Sequence, residues 1–245
     1  MSKKIAIIEK DNNLPPTKPV YENFGVYIDD INENLPRHNG TIWGIFGKGG
    51  SGKTSMFLSL WKSKEFLRGH FDEVHYIVRE GSFNSVKCNP FQNHDKVHHE
   101  LTPGLLHEIH EDALDRKEEC LKNDDPIEKT CIIIDDFGAS LKDPDIQYAL
   151  KQIMNIARHA NLYIVFICQT YKMMPTELRR ILTHLTIYKP NAEEYDIICK
   201  EILLKKKSVC QQIYDYVFDE LYNHLDINMK TGELRKNFRI LEITE

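Results

Sequence analysis

Long hydrophobic runs are absent from the sequence: no apolar stretch approaches the roughly 20 residues that a membrane-spanning helix needs. The opening MSKKIAIIEKDNNLPP contains an apolar patch, but this patch is too short for a signal peptide and is followed by charges and prolines. Internal repeats and low-complexity segments are absent as well. We therefore expect an intracellular globular chain without a membrane segment.

A C-x-x-C pair, the spacing typical of zinc sites and redox motifs, is also missing. Of the six cysteines, Cys131 and Cys168 lie inside strongly apolar runs, so we predict reduced thiols and no disulfide framework. The other four stand at positions 88, 120, 199 and 210. Histidines are concentrated between residues 94 and 110, but no cysteine or matching carboxylate spacing completes a ligand set. A solvated, partly helical insertion is therefore favoured over a metal site.

Excess positive charge is the third absence. The chain has 32 Lys and Arg against 37 Asp and Glu, a net charge of −5. This balance excludes little, because a few basic residues can hold DNA on an otherwise acidic protein. The length of 245 residues, with 41% hydrophobic and 28% charged residues, predicts one elaborated globular domain.

What the sequence does contain is a phosphate-binding motif, in GIFGKGGSGKTSMFLSL. Gly47 is followed after four residues by Gly52, Lys53 and Thr54, which is the P-loop pattern, placed between a strand-like run and a helical one. Lys53 would reach the β- and γ-phosphates, and the Thr54 hydroxyl would bind Mg²⁺. The motif predicts ATP and Mg²⁺ as ligands. The predicted nucleotide-binding residues are Gly47, Gly49, Gly50, Ser51, Gly52, Lys53, Thr54 and Ser55.

Strand-like and helical segments alternate after residue 40, which predicts an α/β fold with parallel strands. With the P-loop, this pattern indicates a P-loop NTPase with a RecA-like, mostly parallel central sheet covered by helices on both faces. The predicted strands are 41–47, 73–79, 131–136, 162–168 and 183–188, and the predicted helices are 53–63, 104–122, 144–160 and 175–182.

The sequence divides the chain into an N-terminal arm and one ATPase domain. Residues 1–40 are punctuated by proline and predicted to be an extended arm, and residues 41–245 form the domain. Within the domain, 41–190 is the core. Residues 191–245 add two helices, of which the second extends through YNHL, and then a turn and strand.

Two acidic residues follow a buried strand in CIIIDDFG. Asp135 is placed where a Walker B aspartate would hold the Mg²⁺ shell together with Thr54, and Asp136 is placed to turn toward the γ-phosphate as a base. Gln169 ends the next apolar run and could orient water or report phosphate release. Strand capping is the alternative role for all three, and Gln169 or Glu80 is the next candidate base after Asp136.

The pattern of Arg158, an apolar run and Gln169 resembles the FtsK/HerA superfamily of DNA-pumping ATPases. The chain is most similar to the genome-packaging ATPases of large DNA viruses, poxviruses and virophages. It shares with them the P-loop, the double aspartate, ARHAN…CQT, MPTELRRILTHLTIYKP and a G-x-x-x-x-NF tail, over roughly residues 41–243. Much of the superfamily has Glu where this chain has Asp136.

This resemblance implies an ATPase that packages double-stranded DNA as a homo-oligomeric ring, a pentamer or hexamer. Arg158 would enter the neighbouring subunit's site as an arginine finger, with a protein of the capsid vertex as a further candidate partner. The implied location is the host cytoplasm, the viral assembly site or the virion. A small-molecule P-loop kinase and a nucleotide-gated switch or scaffold remain alternatives, although no N-K-x-D stretch is present to recognise guanine.

Several basic residues have open roles. Arg158 lies at a predicted helix end, where solvation or the helix dipole would also account for it, and Arg179 and Arg180 are rival fingers. The candidate DNA contacts are Lys172, Lys205, Lys206, Lys207, Arg235, Lys236 and Arg239, each of which could equally be a solvated surface charge.

Overall fold

One ten-stranded sheet forms the framework of the computed structural model, which describes residues 6–9, 36, 38–63, 66–86 and 88–244. Its order is β1-β10-β9-β8-β7-β2-β6-β5-β3-β4. The described strands are β1 Ala6–Glu9, β2 Ile42–Phe46, β3 Glu73–Val78, β4 Val97–His98, β5 Thr130–Asp135, β6 Leu162–Cys168, β7 His184–Tyr188, β8 His224–Asn228, β9 Leu234–Lys236 and β10 Arg239–Thr244.

The six strands from β7 to β4 are parallel, and those from β7 to β1 pair antiparallel. In the parallel part, β2 lies between β6 and β7, so the P-loop leaves the middle of the sheet. The carboxyl ends of β2, β5 and β6 meet at one edge, which is where ligands bind in open α/β sheets. The predicted α/β fold with a mostly parallel central sheet is confirmed.

Helices cover both faces of the sheet. They are α1 Lys53–Lys62, α2 Glu80–Asn84, α3 Pro103–Lys122, α4 Pro144–Ile156, α5 Thr176–Arg179, α6 Ala192–Ile198 and α7 Lys207–Val217, with a π-helical turn at Cys199–Leu203. Thr102 and Asp143 cap α3 and α4, each before a proline at the start of the helix. A side-chain acceptor followed by proline is a strong helix start signal, which explains why these two starts were predicted within one residue.

Alternate residues of each central strand enter two separate hydrophobic cores. Ile132 and Ile134 of β5 pack with α3, α4, α6 and α7, whereas Ile133 packs on the other face with α1, α2 and the segment that follows α1. On that second face Trp61 of α1 stacks on Phe71, with ring centroids 5.6 Å apart. Because both faces are buried, the middle strands read as continuous apolar runs.

The predicted second C-terminal helix is too long. Helix α7 ends at Val217, and His224–Asn228, of which the first two residues were predicted as helix, forms strand β8. Leu225 and Ile227 face the larger core in strand alternation, while Asp226 between them is buried on the opposite side. This buried acid masks the strand pattern in the sequence. Helix α5 is likewise shorter than predicted.

A buried polar network accounts for the burial of the acidic Asp226 and for the presence of Asn237 and Phe238 in the C-terminal segment. Asp226 accepts hydrogen bonds from the Thr186 hydroxyl (2.6 Å) and the Phe238 N–H (2.8 Å), and the Trp43 indole N–H donates to Thr186 (2.9 Å). Asn237 and Phe238 form the two-residue turn between β9 and β10, with φ of 51° and 67°. Such hairpins require positive φ at both positions, which Asn tolerates and which the burial of Phe238 stabilises.

The predicted arm lies mostly outside the described residues. Residues 6–9 form β1, which pairs with β10 at the edge of the sheet. Strands β8–β10 from the C-terminal segment continue the same sheet beyond β7, so 191–244 and the core share one framework. All six cysteines are free thiols, and Cys131 and Cys168 are buried. Among the described helices, none has the length and apolar character to cross a membrane.

Candidate nucleotide-binding site

The P-loop connects β2 to α1 through backbone conformations that require glycine. Gly50 and Gly52 have φ of 75° and 93°, in the left-handed region. A Cβ at Gly47 would lie 2.6 Å from the Cβ of Tyr188, so only glycine fits this close approach. Among the described residues, no backbone carbonyl accepts from the N–H groups of Gly49, Gly50 or Gly52. These donors and the N-terminal end of α1 form a site suited to an anion.

Lys53 is the cation at the first position of α1. It is buried, and its ammonium donates to the Lys48 carbonyl at 3.0 Å, which holds it over the loop. Burial lowers its pKa, while the charges of Asp135 and Asp136 act in the opposite direction. The Ser51 hydroxyl beside it is buried without a described hydrogen-bond partner. A phosphate chain would supply the negative charge and the acceptors that this loop lacks.

Asp135 ends β5 directly behind the P-loop. It is only 3% exposed, and one carboxylate oxygen accepts from the Thr54 hydroxyl (3.1 Å) and the Tyr76 hydroxyl (3.2 Å). Burial raises its pKa to about 6, although the two hydrogen bonds and Lys53 favour the ionised form. The hydroxyl of Thr54 and this carboxylate are the hard oxygen donors that Mg²⁺ prefers, so the residues fit that ion.

Asp136 leaves the strand and turns into the site with φ of 65°. Gln169 Nε2 donates to one of its carboxylate oxygens at 3.2 Å, and the Ser82 hydroxyl donates to the other at 3.0 Å. Arg79 Nε donates to the Asp136 backbone carbonyl at 3.0 Å, with its guanidinium 5.3 Å from the centroid of the Phe137 ring. The acid is therefore held by groups that follow two neighbouring strands, β3 and β6.

These groups enclose a cavity of about 240 Å³ at the carboxyl edge of the sheet. Its walls come from the P-loop, from the segment after β3 and from the ends of β5 and β6. The residues outside the P-loop include Ser82, Ser85, Val86, Asp135, Asp136 and Gln169. Lys53, Asp135, Asp136 and Gln169, which the sequence predicted as catalytic, thus lie together beside the P-loop.

Tyr76, Arg79 and Ser82 belong to the site but were not predicted. All three lie on β3 or directly after it, and β3 pairs parallel with β5. Because parallel strands end at the same edge, the residues after Val78 could have been expected near Asp135 and Asp136. Glu80, the alternative base, is exposed at the start of α2.

Arg158 is not part of this site. It is exposed in the turn after α4, where a Cβ on Gly40 would lie 2.7 Å from its Cα, at the opposite end of β2 and β6 from the P-loop. The seven residues of β6 separate these two ends by roughly 20 Å. The rival Arg179 is buried, lies over the Tyr171 ring (4.5 Å) and donates to Glu201 (3.4 Å), whereas Arg180 is exposed.

The candidate DNA contacts fall into two groups. Arg235 is buried and pairs with Glu233, Lys236 bonds Asp219 at 3.0 Å, and Lys172 pairs with Glu193. The exposed basic segment is Lys205–Lys207, which follows the π-helical turn. Arg239 is partly buried at the start of β10.

Histidines of the segment 94–110 are spread over several positions. One group of potential ligands does come together among the described residues: His107, His110 and Glu111 lie on α3 with ligand atoms within 4.8 Å of one another. The Glu111 carboxylate is 2.9 Å from His110 Nδ1. His107 and Glu111 are exposed and the group comes from a single helix, as expected for a solvated face.

Residues 33–224 match the family described as "Poxvirus A32 protein". The match spans most of the chain, including the P-loop, both aspartates and Gln169. This chain belongs to the poxvirus A32 protein family. The family match agrees with the predicted resemblance to packaging ATPases of poxviruses. No curated protein sequence matches the chain.

Solved structures share the fold of this A32-family chain. It is similar to the genome packaging NTPase B204 from Sulfolobus turreted icosahedral virus 2 in complex with ATP-gammaS, with 15% identity over 81% of this chain and 97% of that one and a TM-score of 0.55. It is also similar to EssC (ATPases 2 and 3) from Geobacillus thermodenitrificans, with 13% identity, 83% and 39% coverage and a TM-score of 0.57. At these identities the likeness establishes the shared fold.

Proposed function

We propose that this A32-family protein is an ATP-driven translocase that packages double-stranded viral DNA into a capsid as a ring oligomer. The observation that carries the proposal is the meeting of the P-loop with Asp135, Asp136 and Gln169 at one sheet edge. Family membership and the fold shared with a genome packaging NTPase support DNA as the translocated substrate. The protein would act in the host cytoplasm, at the viral assembly site or in the virion.

Hydrolysis follows from the placement of the acids. The free N–H groups of the loop and Lys53 bind the phosphate chain and position the γ-phosphorus beside Asp136. A water oriented by Gln169 attacks that phosphorus, its proton passes to the Asp136 carboxylate, and the bond to the bridging oxygen of ADP breaks. Thr54 and Asp135 would hold Mg²⁺, which when bound neutralises charge on the β- and γ-phosphate oxygens.

Coupling to DNA requires a second subunit in this proposal. Arg158 is about one strand length from its own P-loop, so its guanidinium can serve only a site on a neighbour. Its side chain is exposed, so it is accessible to a neighbouring subunit. A pentameric or hexameric ring supplies such a neighbour at every interface, and a protein at the capsid vertex would anchor the ring.

The substitution Lys53→Ala tests whether the P-loop is the site of ATP hydrolysis. Phosphate release should be stimulated by linear double-stranded DNA in the wild type and lost in Lys53→Ala, because the phosphate charge loses its cationic partner. Lys122→Ala, which removes an exposed lysine at the end of α3, is the matched control and should behave as wild type.

The outcomes separate the candidate functions. ATP turnover that survives in Lys53→Ala would contradict the assignment of the nucleotide site. Transfer of the γ-phosphate label to nucleosides without any response to DNA would instead establish the small-molecule kinase. A mass that stays monomeric with ATP analogue and DNA present would refute the ring.

A further inference from the structure

An exposed aromatic ring lies directly beside the P-loop, in the turn between α7 and β8. A Cβ added to Gly52 would be 3.2 Å from Cδ1 and 4.0 Å from Cε1 of Tyr222. Tyr222 is nevertheless 50% exposed, and its neighbour Leu221 is 84% exposed. One side of the turn thus contacts the loop that binds phosphate, while much of the tyrosine remains accessible.

The turn is held rigidly at its two ends. Asp219 accepts from Lys236 Nζ at 3.0 Å and from Asn223 Nδ2 at 2.7 Å, and Asn223 in turn accepts from Asn237 at 2.7 Å. Tyr222 itself has φ of 70°, an uncommon conformation for so bulky a residue. The turn that presents the ring is therefore held in place, so little backbone freedom is lost when a ligand binds.

The proposed site of hydrolysis sets the direction that we expect for a bound nucleotide. Asp136 and Gln169 define the γ-phosphate end and extend from β5 and β6, on one side of β2. We therefore place the nucleoside on the other side of β2, toward β7. That side is formed by Tyr188, which contacts Gly47, and by the turn that contains Tyr222.

We propose that Tyr222 is the base-stacking residue of this site, with the adenine of ATP lying on its exposed ring face. The inference rests on the proposed nucleotide function and adds a ligand contact to it. Aromatic stacking recognises the π-face common to all bases and reads no hydrogen-bonding edge. The contact consequently predicts that ATP and GTP bind with similar affinity, in keeping with the absence of an N-K-x-D stretch.

The test compares ATP with inorganic tripolyphosphate, which has the phosphate chain but no base. Tyr222→Asn removes the ring and keeps a residue that tolerates positive φ, and Tyr222→Phe keeps the ring. By calorimetry, the ATP dissociation constant should rise roughly five- to a hundredfold in Tyr222→Asn and stay near wild type in Tyr222→Phe. Tripolyphosphate should bind all of them equally.

Tyr148→Ala, which removes a tyrosine that is 67% exposed on α4, is the matched control and should leave both affinities unchanged. Unchanged ATP affinity in Tyr222→Asn would overturn the proposal. An equal loss of ATP and tripolyphosphate would overturn it too, because the ring would then only support the loop. A wild type that binds neither compound would refute the nucleotide site itself, which is a different failure.

Discussion

At the residue scale, Asp136 is held by neighbouring side chains and differs in this from a solvated acid. Both of its carboxylate oxygens accept hydrogen bonds, from Gln169 and from Ser82. A carboxylate held in this way is oriented, but its acceptor positions are shared with those two donors. In the proposed role of Asp136 as base, proton transfer from water would be favoured when one of the two bonds lengthens, so Ser82 and Gln169 would both influence that transfer.

Asp136→Asn tests the base directly. Asparagine tolerates the left-handed backbone at this position and can still accept a hydrogen bond, so the fold should be kept. We expect ATP binding close to wild type and a fall in single-turnover phosphate release of roughly 10²- to 10⁴-fold. Normal turnover would move the base to Gln169 or to Glu80.

The sequence predicts the site well where spacing alone fixes position. Lys53 and Thr54 follow from the P-loop pattern, and Asp135 follows from the end of a buried strand. Arg79 and Ser82 were missed, although their place after β3, which pairs parallel with β5, could have indicated them. Tyr222 could not be found in this way, because it lies on a turn whose path is determined by contacts with distant segments, such as the Asp219 bond to Lys236.

At the scale of elements, the start of β7 contains a partly buried histidine. Burial, with the nearby positive charges of Arg235, His38 and Lys230, lowers the pKa of His184 to about 4. The unfolded chain protonates near pH 6.5, so it binds more protons than the folded chain between about pH 6.5 and 4. This residue's contribution to stability is complete above pH 6.5 and is lost as the pH falls toward 4.

His184→Gln should therefore flatten the pH dependence of unfolding. In the wild type we expect this residue to lower the free energy of unfolding by up to about 3 kcal/mol between pH 7 and pH 4, measured by urea titration. Part of the slope should remain, because burial also lowers the pKa of His75 to about 4. His159→Gln, at an exposed turn, is the control, and a slope equal in both variants would contradict the prediction.

Asp226 of β8 is bonded to β7 and to the turn between β9 and β10, so its removal should be destabilising. Asp226→Ala leaves the Phe238 N–H without its buried acceptor and deletes the bond from Thr186. We expect a loss of about 2–4 kcal/mol in the free energy of unfolding, since a buried donor is stranded. Asp215→Ala, on the exposed side of α7, should change stability by less than about 0.5 kcal/mol, and equal effects would remove the structural role.

The five strands predicted within residues 41–190, β2, β3, β5, β6 and β7, all exist within one residue of their expected bounds, and the predicted C-terminal turn and strand fall at β9 and β10. Their continuous apolar runs reflect burial on both faces, a signal that survives in a single sequence. Strand β8 was missed because its buried polar residues make sense only beside Trp43 and Thr186, which are distant in the chain. The local sequence pattern carries no signal of a contact between residues that are distant in the chain.

At the scale of the whole molecule, the chain has its P-loop and Arg158 at opposite ends of the same parallel strands. If the ring proposal holds, one interface combines the P-loop of one subunit with the arginine of the next. Mixing experiments follow from this separation. Lys53→Ala subunits keep a sound finger, and Arg158→Ala subunits keep a sound P-loop.

Arg158→Ala alone should lose about a thousandfold or more in turnover and keep nearly normal ATP affinity, because only transition-state charge is affected. Mixed with Lys53→Ala, it should regain phosphate release, since some interfaces then contain both intact halves. Mixed oligomers of Arg158→Ala and Lys53→Ala could form but stay inactive. If a mixture of Arg180→Ala and Lys53→Ala then regains phosphate release, the arginine finger is Arg180. Full activity of Arg158→Ala by itself would make Arg158 a surface charge.

Both tryptophans of the chain, Trp43 and Trp61, flank the P-loop, one on the strand that enters it and one on the helix that leaves it. Trp43 is hydrogen-bonded in the buried network and Trp61 is stacked on Phe71. Indole emission excited at long ultraviolet wavelengths therefore originates from this one region of the molecule. A melting curve followed by native fluorescence reports the integrity of the nucleotide-binding half without any dye or label.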